Sequence, residues 1–186
     1  MAGNSFDGHF QNLKVHGNVT SMGTRKIQSF AGSLANTNAA ATAYADGDVL
    51  VELGTLDTST PSGLEPASNF FIHRVLVGIT TAAGPALEGN LKLSATSGTA
   101  TNEAISSGTE ICGAGVTSFN DQTSAAESSH GEIDINFHNT AGNYHIFVPN
   151  VTAAIANTYL YAVATTSVNA DITAGRFTVE IEYSVF

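Results

Sequence analysis

The sequence is poor in charged residues, and cations are especially scarce. Only 12% of its 186 residues are charged, which is about half of the usual share. Six Lys and Arg stand against sixteen Asp and Glu, so the net charge is −10. Nucleic-acid binding needs Lys and Arg to replace the counterions on phosphates, and an anionic membrane surface also attracts cations. The composition therefore predicts that neither nucleic acid nor a membrane is a partner.

Cysteines and long apolar runs are also scarce. One cysteine cannot form an internal disulfide, and Cys112 lies beside Ile111 and Gly113, so we expect a buried, inert thiol. No run of 18 apolar residues is available to span a membrane. Met1–Asp7 has no basic stretch leading into an apolar one, so no secretory signal is expected. A chain of this length buries roughly 70% of its unfolded surface, which is enough for a stable core without disulfides or a metal ion.

Helix signals are missing, whereas strand signals are frequent. The clearest strand is Arg176–Val185, in which apolar and polar residues alternate over ten positions. Such a period of two places one face in a core and the other in water. The residues expected on the buried face are Phe177, Val179, Ile181, Tyr183 and Val185.

Six further segments are predicted to be strands. Asn69–Gly78 is apolar on both faces and is expected to be a central strand, and Val49, Val51 and Leu53 are expected to share a buried face. The connections are rich in Gly, Ser, Thr, Asn and Pro, as turns are. Together these patterns predict an all-β fold, an antiparallel β-sandwich or jelly roll. The other segments are Asp48–Leu53, Asn90–Ser94, Glu132–Phe137, Tyr144–Val148 and Tyr159–Ala164, with weaker strands at Asn12–Val19 and Thr24–Ala31.

The long polar stretch Ala95–Gly131 has two interpretations. Structureless loops longer than about 15 residues are uncommon in compact domains. The stretch either contains short strands at Glu103–Ser106 and Glu110–Ala114, or it packs on a neighbouring subunit.

Residues 1–35 are predicted to be an N-terminal arm, and residues 36–186 a single sandwich domain. The arm has three basic residues and one acidic residue, whereas the remainder is strongly acidic. Its apolar residues pack either on the domain or on a partner, and we favour the partner because contact arms are often terminal. The residues predicted to make this contact are Phe6, Phe10, Leu13, Lys14, Val15, Arg25 and Lys26.

Motifs for catalysis or cofactor binding are missing. The sequence has no G-x-S-x-G nucleophile elbow, no phosphate-binding G-x-x-x-x-G-K loop and no H-E-x-x-H zinc motif. Asp46-Gly47-Asp48 resembles part of a calcium loop but lacks the later ligands, so it is interpreted as a turn. We therefore expect no enzyme activity, cofactor or metal.

Two weaker candidate sites consist of a pair of histidines and a pair of glutamates. If Glu132–Phe137 and Tyr144–Val148 formed a hairpin, His138 and His145 could bind a metal ion across it, although ordinary rim histidines are the simpler interpretation. Glu180 and Glu182 share a strand face about 7 Å apart by strand rise. Paired carboxylates can serve a glycosidase, but on a wet strand they also keep a surface soluble and an edge unpaired. For His73, in mid-strand, a buried hydrogen-bonded role is expected.

Three segments resemble virion proteins of tailed phages, especially small capsid decoration and head-fibre proteins. They are Asn90–Ser94 with the residues that follow it to Ile105, then Thr158–Thr165, and Asp171–Tyr183. The resemblance covers about half of the chain. It implies a β-sandwich, often oligomeric, that is bound to a capsid and has no enzyme activity.

The leading hypothesis is therefore a capsid decoration or cement protein. Its partner would be the major capsid protein or another virion protein, and it would form a homo-oligomer, with three copies as the expected number. It would reside in the virion after assembly in the host cytoplasm. The alternatives are a carbohydrate-binding or adhesive fibre-tip protein, a hydrolase that uses Glu180 and Glu182, and a capsid-forming jelly roll.

Overall fold

The computed structural model describes the chain in ten stretches, which contain ten β-strands and no helix. The stretches are residues 24–34, 44–60, 66–105, 107–112, 134–138, 141–142, 144–149, 151–165, 167–168 and 170–186. The strands are β1 (Thr24–Ser33), β2 (Val49–Thr55), β3 (Asn69–Thr81), β4 (Glu88–Ser94), β5 (Thr109–Cys112), β6 (Ile135–Asn136), β7 (Tyr144–Phe147), β8 (Val151–Ala154), β9 (Tyr159–Ala164) and β10 (Arg176–Val185).

The strands form two antiparallel sheets that pack face to face. The first sheet has the order β1-β10-β3-β7, and β8 also pairs with β3. The second sheet has the order β2-β9-β4-β5, and β6 also pairs with β4. The predicted all-β antiparallel sandwich is confirmed.

The core lies between the sheets, and β10 shows why it forms. Every second side chain of β10 is buried, from Phe177 to Val185, and the residues between them face outward. The predicted strand and its buried face are both confirmed. Each large buried apolar side chain contributes about 1.5–3 kcal/mol relative to exposure.

β3 is the longest strand and occupies the interior of the first sheet. It pairs with β10 on one side and with β7 and β8 on the other. This confirms the central position predicted for Asn69–Gly78. A register shift at Glu182/Tyr183 leaves His73 as an extra residue between Ile72 and Arg74.

In β2 the predicted buried face is only partly correct. Val49 is buried, but Val51 and Leu53 are half-buried, and Leu50 is buried instead. Register shifts against β9 between Val49 and Val51 and between Glu52 and Gly54 interrupt the alternation. A β-bulge moves the following side chains to the other face, which the sequence pattern alone does not reveal.

The hairpin considered for the two histidines is wrong. β6 pairs with β4 in the second sheet, whereas β7 pairs with β3 in the first sheet. The two strands thus continue into different layers of the sandwich. The next strand, β8, was not predicted, because Val151–Ala154 has only one large apolar residue.

The stretch 95–131 is described at residues 95–105 and 107–112. The strand predicted at Glu110–Ala114 exists as β5, whereas at Glu103–Ser106 the described residues form no strand and only Ala104 bridges to Asp48. In the predicted arm, β1 pairs with β10 along its whole length. Residues 1–23 and 35–43, which include Asn12–Val19, lie outside the described residues, so the arm and its boundary stay predictions.

Candidate interaction surface

The outer face of the first sheet is built from rows of side chains that run across its strands. Residues directly opposite each other in antiparallel strands share a face. The register therefore places Ile27, Glu182 and Arg74 in one row. The next row along holds Ser29, Glu180, Leu76 and Ile146, and the one after it holds Ala31, Thr178, Gly78 and Tyr144.

Two arginines and two glutamates form an ion-pair network at the centre of this face. Arg74 lies between the carboxylates, with its Nη2 3.1 Å from Glu180 Oε1 and its Nε 3.5 Å from Glu182 Oε2. Arg25 pairs with Glu182 from the other side. Arg25 and Arg74 are largely exposed, so the network presents charge of both signs to a partner.

Tyr144 is the most exposed large apolar side chain of the described residues, at 61%. Its ring lies beside Gly78. A Cβ atom at Gly78 would come 2.7 Å from Tyr144 Cε1 and 3.1 Å from Thr178 Oγ1. The missing side chain thus makes room for the exposed ring.

His73 lies half-buried on the same face. Its Nε2 is 2.7 Å from Ser184 Oγ, and its ring centre is 4.8 Å from that of Phe71. Burial lowers the pKa of His73 below 6.5, and Arg25 adds to this effect while Glu182 opposes it. The ring is therefore mainly neutral at neutral pH. The predicted hydrogen bond of His73 is confirmed, whereas the predicted burial is wrong, because the side chain is only half-buried.

The exposed large apolar side chains are all associated with the first sheet. Among described residues they are Ile27 in β1, Tyr144 in β7, Val148 directly after β7 and Phe186 directly after β10. Ile27 and Tyr144 stand on the two edge strands of one face. The half-buried Leu76 and Ile146 lie in the row between them. A face that gathers apolar side chains is a candidate for interaction. The outer face of the first sheet is therefore the best candidate for binding.

The outer face of the second sheet is instead covered by residues 95–105. Ile105 packs with Val49, Tyr161 and Val163 in a small second cluster. The Tyr161 hydroxyl lies 2.8 Å from both Glu52 Oε2 and the Thr96 carbonyl, and the Gly98 amide donates to the same Glu52 oxygen at 2.7 Å. Burial and the bond to Glu52 raise the pKa of Tyr161.

Polar contacts close the sandwich where β1 approaches the end of β2. Tyr183 places its hydroxyl against Gln28 Oε1 and 3.1 Å from the Asp57 carbonyl oxygen. Burial raises the pKa of Tyr183 to about 12. Lys26 donates to Asp57 at 2.5 Å and to Ser59 at 2.7 Å. The Lys26 bond, with help from Ser59, lowers the pKa of Asp57 to about 2.

Two of the residues predicted to contact a partner are described. Arg25 faces outward on β1, and its side chain is 64% exposed. Lys26 points the other way, is 13% exposed and is bonded to Asp57, so it is poorly placed to reach a partner. Lying outside the described residues are Phe6, Phe10, Leu13, Lys14 and Val15.

The histidine pair is not assembled into a metal site. His145 is buried on the inner side of β7, and His138 is half-buried with its Nδ1 3.1 Å from the Leu87 carbonyl oxygen. Within the described residues no group of three or more His, Cys, Asp or Glu could hold a metal ion. At Asp46-Gly47-Asp48 the Ala45 amide donates to Asp48, as in the turn that was expected.

Two further candidates, the paired glutamates and Cys112, lie within strands of the sandwich. Glu180 and Glu182 face outward as predicted, but β10 is an interior strand, so they protect no sheet edge. Cys112 is completely buried in the core, as predicted. Among described residues, no helix is long and apolar enough to cross a membrane.

The outer face of the first sheet could not be identified as exposed apolar surface from the sequence. Ile27 and Tyr144 lie in predicted strands, and nothing in their local pattern marks them as exposed. One usable signal was Gly78 at the end of the apolar segment Asn69–Gly78. An isolated Gly in a strand often marks a place where another group approaches closely.

The comparisons with known proteins include a structural likeness. No protein-family model matches the sequence, and no curated protein matches it. Among solved structures, the chain is similar to one described as "Cyanophage Pam1 capsid asymmetric unit". The TM-score is 0.39 at 14% sequence identity, and the alignment covers 100% of this chain and 99% of that chain.

Proposed function

We propose that this chain is a non-enzymatic virion structural protein, a capsid decoration or cement protein that binds and stabilises the outer surface of a phage head. The resemblance in sequence supports this proposal, because each of its three segments includes most of one strand, β4, β9 or β10. These strands lie in the interior of the two sheets. The resemblance therefore concerns the framework of the sandwich rather than one loop.

The observation that carries the proposal is the outer face of the first sheet. Ile27 is 60% exposed and Tyr144 61% exposed, on a face whose centre is a mixed ion-pair network. Aromatic and Arg side chains are enriched at protein contact surfaces, and this face presents Tyr144, Arg25 and Arg74. It supports a protein that works by binding another protein.

We also propose a partner, an anchor and a location for the protein. The partner is the major capsid protein or another virion protein, and the arm is the anchor through Phe6, Phe10, Leu13, Lys14 and Val15. The acidic remainder of the chain would face solvent and keep virions apart. The protein resides in the virion as a homo-oligomer, and we propose three copies.

The proposal of a non-enzymatic role is supported by the surroundings of the paired glutamates. A glycosidase needs one carboxylate as proton donor and the other in its ionised form, with access to the same sugar. Here Arg74 binds Glu180 and Glu182 together, and Arg25 also binds Glu182. Both carboxylates are thus occupied by guanidinium groups.

Deletion of residues 1–15 tests the anchor. Full-length and shortened chains are mixed with phage heads that lack the protein, and the heads are sedimented and assayed for bound chain. We expect the deletion to abolish binding while circular dichroism still reports a folded β-protein. A shortened chain that decorates heads at normal occupancy would contradict the anchor.

A carbohydrate-binding or adhesive role is the second candidate, and Tyr144 is the observation that favours it. The exposed aromatic ring of Tyr144 offers a surface on which a sugar can stack. A glycan array would test this role. Binding that disappears in Tyr144→Ala would support it, and an array without signal would remove it.

A further inference from the structure

The two outer sides of the sandwich differ in charge. The outer face of the first sheet carries three basic and two acidic residues, because the fourth basic residue of its strands, Lys26, points the other way. The described residues outside these strands contain one basic and nine acidic residues. Arg25 and Arg176 are exposed on the first sheet. Because the sheets pack face to face, their outer faces lie on opposite sides of the molecule. The described part of the chain is therefore polarised across its thickness.

The acidic side belongs to the second sheet and its covering residues. Glu110 of β5 is opposite Lys92, whose Nζ bonds to the Ile105 carbonyl in the covering stretch. Glu103 belongs to that same stretch and is exposed. These carboxylates complement the basic, apolar face of the first sheet.

We propose that the outer face of the first sheet binds the acidic side of a second copy of this chain. Ile27 and Tyr144 supply the apolar contact, and Arg25 and Arg176 face the carboxylates of Glu103 and Glu110. The same chain thus provides both halves of the interface. Complementary charge of this kind fixes orientation and speeds association.

The contact is head-to-tail, because the two halves are different surfaces. Head-to-tail contacts form closed rings when the rotation between copies permits, and three copies make the smallest such ring. The footprint of the face approaches the size that a specific interface needs. Four strands at about 4.8 Å spacing and ten residues at about 3.4 Å give a footprint of roughly 650 Å². A specific interface buries about 800 Å² per partner.

Sedimentation velocity of the full chain tests the contact without any phage head. We expect the wild-type chain to associate in a concentration-dependent manner, and to dissociate as salt screens the charges. Ile27→Glu should give monomers at concentrations where the wild type is oligomeric. Thr58→Glu is the matched control, because it adds the same charge at an exposed loop residue, and it should associate like the wild type.

Mixing two variants tests the head-to-tail arrangement. Ile27→Glu and Glu103→Lys should each be impaired alone, because each lacks one half of the interface. Mixed together, they should form a 1:1 dimer from the two intact halves. Normal association of Glu103→Lys alone would overturn the arrangement. A wild-type chain that stays monomeric, or an Ile27→Glu variant that associates normally, would overturn the contact itself and leave the anchor in residues 1–15 untouched.

Discussion

The ring of Tyr144 lies beside Gly78, so that an absent side chain in β3 makes room for an exposed aromatic residue of β7. The two residues are directly opposite in the register, on the outer face. This pair links strand pairing to a binding surface, because the position of the ring depends on the register and on the glycine together.

Two glycines should respond differently to substitution by alanine. At Gly78 the added methyl group meets the edge of an exposed ring that can move aside, so Gly78→Ala should change the free energy of unfolding by less than about 1 kcal/mol. At Gly89 it would lie 2.3 Å from the Val163 carbonyl oxygen, which is backbone. Gly89→Ala should cost about 2–3 kcal/mol. Urea unfolding of both variants measures the difference, and equal costs would contradict the close approach of β4 to β9.

The hydroxyl group of Tyr183 should stabilise the contact between β1 and the residues that follow β2. In Tyr183→Phe the Asp57 amide loses an acceptor at 3.0 Å but keeps Gln28 Oε1 at 2.7 Å. The expected loss in the free energy of unfolding is therefore about 1 kcal/mol. Tyr183→Ala, which also empties a core position, should cost about 3–5 kcal/mol. Thermal unfolding of the two variants would contradict this ranking if they lost the same amount.

Asp57 should make the stability of the fold depend on acid. Its pKa in the folded chain is about 2, below the value of 3.8 for the unfolded chain. The contribution is therefore fully present above about pH 4 and is lost as pH falls through 2. Asp57→Asn removes an exposed ion pair with Lys26, and such pairs contribute about 0.2–1 kcal/mol.

Unfolding experiments at several pH values check this dependence. The wild type should exceed Asp57→Asn in stability at pH 6, and the two should converge near pH 2. Asp171→Asn is a control, because it removes an exposed loop carboxylate that the proposed contact between copies does not use. A difference for Asp57→Asn that persists unchanged at pH 2 would show that the carboxylate charge is not its source.

Cys112 should be protected from thiol reagents by the fold. Its side chain is completely buried in the core at the end of β5. The native protein should therefore react with a disulfide reagent only as fast as it opens, and denaturant should release one thiol per chain at once. Rapid labelling of the native protein would contradict the position of β5 against β4.

The sandwich could be predicted because its two best signals are local. In β10 the alternation continues over ten residues, and in β3 both faces are apolar, which marks an interior strand. Each of these two strands can therefore be recognised from its own residues, without knowledge of the strand with which it pairs. The buried face of β2 and the pairing of β6 and β7 could not be predicted, because bulges and the choice of sheet are decided by contacts distant in sequence.

The interaction surface could not be predicted for a similar reason. Ile27 and Tyr144 come from strands that are more than one hundred residues apart in the sequence, and only the order β1-β10-β3-β7 places them on one face. Arg25 was included among the contact residues because of its position in the predicted arm, but its pairing with Glu182 follows from the register alone.

Electron microscopy of the phage particles that carry this protein tests the central claim most directly. The account predicts density for a two-layered β-sandwich on the outer surface of the head, with the N-terminal residues reaching the shell. A head surface without such density, in virions that mass spectrometry shows to contain the chain, would contradict it.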